Sequence, residues 1–115
     1  MFIFGNKKKK DHYSVYVVKL SNTVRSLSEV KRQNPLRKNG KPCVYVGMTG
    51  LSIKNRLKNH KKGYKSSKWV KNYGEKLLPS LYRKYNPMNY RKALEMESGL
   101  AVKLRKKGYI VLGGH

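Results

Sequence analysis

Two short runs, residues 13–20 (YSVYVVKL) and 42–48 (PCVYVGM), are apolar at nearly every position, while most of the chain around them is basic or polar. A strand with one wet face alternates apolar and polar residues. Strands that are apolar on both faces belong in the middle of a sheet covered by other layers, so these two runs set the centre of the fold.

Downstream the period changes. Residues 52–62 (SIKNRLKNHKK) predict a helix, with the Ser52 hydroxyl as N-cap and Gly63 as the stop. Residues 66–73 read as a short helix closed by Gly74, and residues 77–82 as a candidate third strand. Asn86-Pro87 and Asn89 open the longest helix, residues 90–107, which Gly108 ends in a left-handed conformation. Residues 109–112 add a short edge strand, and residues 21–41 form a long polar segment. The order ββαα(β)αβ predicts an α+β (mixed α/β) domain, with a small central antiparallel or mixed sheet flanked by helices. An apolar fraction of 38% over 115 residues supports one core. The expected organisation is a basic N-terminal arm at 1–12 and a domain at 13–115 with an inserted basic loop at 21–41.

With 28 Lys and Arg against 5 Asp and Glu, the formal net charge is +23, which points to a polyanion as partner. Each phosphate neutralised by Lys or Arg releases condensed counterion, so binding is favourable and salt-dependent. A membrane surface would also attract this charge, but there is no long apolar run and no free-standing basic amphipathic helix. Nucleic acid, DNA foremost, is the expected partner, and a membrane is not. Charge alone would equally suit a protein that coats nucleic acid or sits in a ribosome. Cys43 is the single cysteine, which removes a disulfide framework or a cysteine-rich zinc site and fits a reducing, cytoplasmic setting. Residues 1–4 are apolar and 7–10 are lysines, the reverse of a signal peptide, so secretion is not expected. The lysine run reads as a solvated arm or a nuclear address.

The long helix holds the sharpest single clue. Ala93, Leu94, Leu100, Ala101 and Leu104 recur at spacings of three and four, and Glu97 lies in the middle of that apolar face. A carboxylate taken out of water without compensation is costly, so positive charge must meet it. A divalent metal would do so, since Mg²⁺ sites acting on phosphates use only one or two carboxylates. So would a buried arginine. Glu95 points the other way, towards solvated partners such as Arg91 or Lys103.

Arg56 and His60, four residues apart, stack on one helix face beside Ile53 and Leu57. A guanidinium grips phosphate through two bonds and stays charged, while an imidazole donates, accepts or moves a proton near neutrality. Lys54, Lys58, Lys61 and Lys62 surround the pair, and Lys65 and Lys68 extend the basic surface. A basic helix lying on DNA without chemistry would carry the same residues. Tyr16 and Tyr45 alternate with valines, so their rings should be half-packed with hydroxyls at the sheet rim. Gly47 and Thr49-Gly50 then turn the chain so that Tyr45 comes near Arg56. Trp69 and Tyr73 either stack bases beside Lys65, Lys68 and Lys71 or, at helical spacing, seal the core. Arg25, Lys31, Arg32, Arg37, Lys38 and Lys41 in the inserted loop are either a nucleic-acid clamp or a solvated surface.

Taken in order, these segments resemble the GIY-YIG nuclease family. Ser14-Val15-Tyr16 matches its first motif and Tyr45-Val46-Gly47 its second. The stretch from Gly47-Met48-Thr49 through Arg56 and His60 looks like the passage into its first helix, and Ser66-Ser67 resembles the small-residue turn that follows. Ala93-Leu94-Glu95-Met96-Glu97 with Leu100-Ala101 resembles the helix bearing the metal-binding glutamate. The likeness spans residues 13–112. It departs from the pattern where Ser14 replaces the opening glycine, where the 20–42 gap exceeds the usual turn, and where Leu112-Gly113-Gly114 replaces a late asparagine.

The resemblance implies a metal-dependent DNA endonuclease that hydrolyses phosphodiester bonds. Glu97 would hold one divalent metal, Mg²⁺ or Mn²⁺, beside the scissile phosphate and the leaving 3′ oxygen. Tyr16 would act as general base or position the attacking water, given a pKa lowered by the cationic pocket. Tyr45 would orient water or phosphate, Arg56 would stabilise the transition state, and His60 would support the site or relay a proton. One site per chain implies a homodimer or two encounters to cut both strands, and targeting through this domain or a partner protein. The alternative is a non-catalytic nucleic-acid-binding protein, for DNA or RNA, that retains the fold.

Overall fold

The two valine-rich runs lie side by side at the centre of a sheet. In the computed structural model, which describes residues 11–63 and 67–114, β1 (Ser14–Leu20) and β2 (Cys43–Thr49) pair antiparallel, from Ser14 opposite Thr49 to Leu20 opposite Cys43. β3 (Gly74–Leu77) joins β1 antiparallel and β4 (Ile110–Gly113) joins β2 parallel, giving the order β3-β1-β2-β4. With α1 (Ser28–Gln33), α2 (Ile53–Lys62), α3 (Lys68–Tyr73) and α4 (Tyr90–Lys106), the chain is a mixed α+β fold around a four-stranded mixed sheet.

Residues paired across the ladder share a face, so Tyr16, Val18 and Leu20 lie with Gly47, Tyr45 and Cys43. At the Leu20 end this face carries a core of Leu20, Val24, Val30, Cys43, Ile110 and Leu112, sealed by Trp69 and Tyr73 of α3. Trp69 and Tyr73 therefore pack the core, the second of the two roles their spacing allowed. Val15, Val17, Val44, Val46 and Val111 cluster with Ala93, Leu100, Ala101 and Leu104 of α4. Each fully buried Val or Leu in these clusters contributes about 1.5–3 kcal/mol of transfer free energy.

The helix ends follow the sequence signals. Ser52 Oγ accepts from the Asn55 N–H at the start of α2, and Gly63 closes it at φ 85°. Asn89 caps α4 by accepting from the Lys92 N–H, and Gly108 follows the helix at φ 96°. Leu94, expected on the apolar face, is 40% exposed. The buried stripe runs through Ala93, Glu97, Leu100, Ala101 and Leu104, and Leu94 sits one residue, about 100°, round from it.

The third strand is displaced from its expected place. Residues 77–82 were the candidate, but pairing with β1 uses Gly74–Leu77. Pro79, which has no N–H to give a ladder, instead opens the 3₁₀ turn Pro79–Leu81. The segment 21–41 is also more than a polar loop. It forms a 3₁₀ turn (Asn22–Ser26) and α1, which bury Val24, Val30 and Asn34 over the Leu20 end of the sheet. Arg25 is a brace within it, donating to the carbonyls of Lys38 and Lys41, while Lys31, Arg32, Arg37 and Lys38 stay exposed.

Two asparagines finish the sheet where backbone partners run out. Beyond β4, Asn34 Oδ1 accepts from the Val111 N–H at 2.8 Å and its Nδ2 donates to the Val111 carbonyl at 3.1 Å. Beside β1, Asn86 Oδ1 accepts from the Val15 N–H at 2.9 Å and its Nδ2 donates to the Val15 carbonyl at 2.8 Å. Each side-chain amide replaces one residue of a missing strand and satisfies both groups at once. Of the expected basic arm at 1–12, residues 1–10 lie outside the described residues, and Asp11 and His12 are exposed. Among the described residues no helix is long and apolar enough to cross a membrane.

Candidate active site

The two tyrosines and the histidine singled out in the sequence meet on the Tyr16 face of the sheet. β1 places Tyr16, β2 places Tyr45 and the last turn of α2 places His60, whose ring centroids lie 5.9–6.4 Å apart. Tyr16 is directly opposite Gly47 in the ladder, and its ring lies over that glycine. A Cβ at position 47 would stand 2.5 Å from the Tyr16 hydroxyl oxygen, so the glycine of the Tyr45-Val46-Gly47 segment makes room for the phenol. Gly113, the last residue of β4 and opposite Val46, lies under the Tyr45 ring, and a Cβ there would stand 2.7 Å from a ring carbon.

Tyr16 is only 2% exposed, more deeply set than the half-packed ring the valine alternation suggested, and His60 is fully buried. Their polar atoms meet at 2.8 Å, Tyr16 Oη to His60 Nε2. The other ring nitrogen decides the direction of that bond. His60 Nδ1 accepts from the Ser67 backbone N–H at 3.0 Å, so it carries a lone pair and the proton sits on Nε2. His60 therefore donates to the Tyr16 oxygen. Burial, together with the Arg56 charge, brings its pKa down to about 4, so the ring is neutral at pH 7. Passing a proton through this ring would require breaking the Ser67 bond.

Arg56 and Glu97 belong to the same electrostatic neighbourhood. Burial raises the Tyr16 pKa well above its ordinary value, and Tyr45 and Glu97 push the same way. Arg56 opposes them through its charge and a hydrogen bond. Tyr45, half-buried, is raised by burial and by Glu97, while a hydrogen bond with the Ser67 side chain and the Arg56 charge work against the shift. Tyr16, Tyr45 and His60 thus meet directly, and Arg56 from α2 and Glu97 from α4 lie near enough to act on the ionisation of the two tyrosines. The condition attached to Tyr16 as a base is not met: in the free protein the pocket holds it as a protonated phenol, because burial outweighs the one guanidinium.

Glu97 is 6% exposed, set in the buried stripe of α4. Among the described residues no three His, Cys, Asp or Glu side chains cluster. A cation at Glu97 would therefore keep most of its coordination sphere for water and phosphate, which is the usual habit of Mg²⁺. The residues present fit such a one-carboxylate site.

Of the expected phosphate-binding residues, Lys54, Lys58, Lys61, Lys62 and Lys68 are exposed on and after α2, and Lys65 lies outside the described residues. Lys61 donates to the Gly74 carbonyl, and the Lys68 ammonium lies 4.9 Å from the Trp69 ring. The role of the Ser67 N–H was not visible in the sequence, since a backbone donor leaves no residue-type signal. Comparison with protein-family models, with curated proteins and with solved structures finds no match for this chain.

Proposed function

We propose that this chain is a GIY-YIG-type endonuclease that hydrolyses phosphodiester bonds in DNA with a divalent metal, Mg²⁺ or Mn²⁺. The observation that carries the reading is the surrounding of the Tyr16 oxygen. It receives the Nε2–H of a histidine locked in one tautomer, with Arg56, Tyr45 and Glu97 all close enough to shift its ionisation. Packing alone would not require so many polar groups around one phenol.

Hydrolysis joins a water oxygen to phosphorus, breaks the bond to the 3′ oxygen, needs an acceptor for the water proton and leaves a 3′ alkoxide that takes a proton from solvent. Glu97 would hold the cation, which when bound would supply charge stabilisation to the phosphate and the leaving oxygen. Arg56 adds charge stabilisation at the same centre. Two donors, His60 Nε2–H and Arg56, favour the anionic form of Tyr16, while burial, Tyr45 and Glu97 oppose it. Tyr16 orients water as a phenol and accepts its proton only in the phenolate fraction. The exposed lysines of α2 and Lys68 hold the DNA backbone. Buried, unpaired Cys43 suits the cytoplasm, where we place the protein. Cutting both strands calls for two copies or two encounters.

The second reading, a nucleic-acid binder without chemistry, draws on one specific observation: neither Tyr16 nor His60 rests in the form of a strong base at neutral pH. Incubating the purified protein with supercoiled, branched and single-stranded DNA and with RNA, in Mg²⁺ or Mn²⁺ and then with chelator, separates the two. Cation-dependent cleavage supports the nuclease. Tight binding without products in every cation supports the binder.

A further inference from the structure

A second group of aromatic rings lies outside the set formed by Tyr16, Tyr45, Arg56, His60 and Glu97. His12, Tyr13 and Tyr90 form a run of three rings, with centroids 4.4 Å apart for the first pair at 30° and 5.2 Å for the second at 65°. Each ring is fixed from a different direction. His12 Nδ1 donates to the Gly50 carbonyl at 3.1 Å, and Tyr13 exchanges backbone bonds of 2.9 and 2.8 Å with Met88. Tyr90 is the first residue of α4, directly after the Asn89 cap. Yet Tyr90 is 54% exposed and His12 is exposed, and a shallow depression of about 470 Å³ is lined by Tyr13, Asn89, Tyr90 and Arg91.

One exposed ring needs no explanation. Three in contact, held in place before any ligand arrives and bordered by a guanidinium, make a stacking surface with a phosphate partner at its edge. The net charge of +23 selects a polyanion over an apolar peptide as the occupant. We infer that these rings stack an unpaired base of a nucleic-acid strand whose backbone runs along α4 towards Glu97. Tyr90 precedes Glu97 by seven residues on one face of α4, two turns or about 10 Å along the axis. At about 3.4 Å per stacked nucleotide, that offset is about three nucleotides. A base inside a duplex has both faces covered, so this surface favours substrates with a single-stranded end, flap or junction over intact duplex. The inference rests on the nucleic-acid half of the proposed function and not on hydrolysis.

The test is binding in chelator, where no cleavage occurs. A short oligothymidylate carrying one 2-aminopurine, and a blunt duplex, are titrated with wild type, Tyr90→Ala and Tyr90→Phe, reading anisotropy and 2-aminopurine fluorescence. Wild type should quench the probe. Tyr90→Ala should weaken the single strand roughly tenfold and lose the quench, while Tyr90→Phe restores both and duplex affinity stays unchanged. Equal weakening on both oligonucleotides, or wild-type binding without quench, overturns the stacking surface alone. Failure to bind either oligonucleotide overturns it together with the nucleic-acid reading.

Discussion

Acid should destabilise this protein through one residue, His60. The ring is fully buried, and burial with the Arg56 charge lowers its pKa from 6.5 to about 4. Between those values the unfolded chain holds the proton and the folded chain does not, so stability falls as pH drops from about 6.5 towards 4 and levels off below. The gap corresponds to about 3 kcal/mol at full extent, which in a domain of this size lowers Tm by roughly 10–15 °C. Few other groups confuse the reading. The side chains supply 5 carboxylates, of which buried Glu97 is common to wild type and variant and so drops out of the comparison, and the Lys19–Glu75 pair at 2.7 Å is exposed enough to be worth about 0–1 kcal/mol. The assay is thermal or urea unfolding at half-unit pH steps for wild type and for His60→Gln, which removes the titration but also the contact to Tyr16. Wild type should show the steep segment and the variant should lose it, even if its stability is lower throughout. Equal slopes for the two proteins would refute a buried neutral His60 and with it the donor assigned to the Tyr16 oxygen.

Tyr16→Phe keeps the ring and removes the hydroxyl, so it should cost about 0.5–1.5 kcal/mol of stability in urea unfolding while cleavage falls severely. In wild type the cleavage rate should climb with pH through the alkaline range, because the raised Tyr16 pKa leaves a small phenolate fraction that grows with pH; a rate flat from pH 7 to pH 9 would remove Tyr16 as proton acceptor. Arg56→Ala should leave the salt dependence of DNA binding nearly unchanged and cut turnover at least about tenfold, and affinity falling in step with activity would reduce Arg56 to a phosphate anchor. Gly47→Ala places a methyl 2.5 Å from the Tyr16 hydroxyl oxygen, and should cost about 1–3 kcal/mol in unfolding while abolishing cleavage.

Much of this arrangement was legible because it rests on local rules. The valine runs, the Ser52 cap with the Gly63 stop, and the glutamate inside an apolar helical stripe each follow from periodicity and backbone chemistry, and the structure holds them where those rules place them. What was not legible depends on contacts between distant segments. The structure of 21–41 comes from Val24, Val30 and Asn34 finding the sheet, and three separated apolar or amide residues in a basic stretch carry no period. The paired bonds of Asn86 with Val15 and the Ser67 N–H on His60 join residues 71 and 7 apart in sequence, and no residue type announces them. A lowered Tyr16 pKa, the condition for its acting as base, is not met in the free protein. Counting nearby cations favours a lowered pKa, whereas burial, invisible until the ring is placed, raises it.

The most direct test is Glu97→Gln, with cleavage, Tm and divalent-cation titration measured on the same preparations as wild type. The exchange preserves size and removes the charge. Wild type should cleave in a cation-dependent way, and the variant should lose both cleavage and the cation response while DNA binding is kept or tightened as repulsion disappears. A carboxylate that only pairs with a buried cation would instead cost about 3–5 kcal/mol of stability when neutralised. A strongly destabilised variant, beside a wild type that neither cuts nor responds to Mg²⁺ or Mn²⁺, would contradict the metal-dependent nuclease.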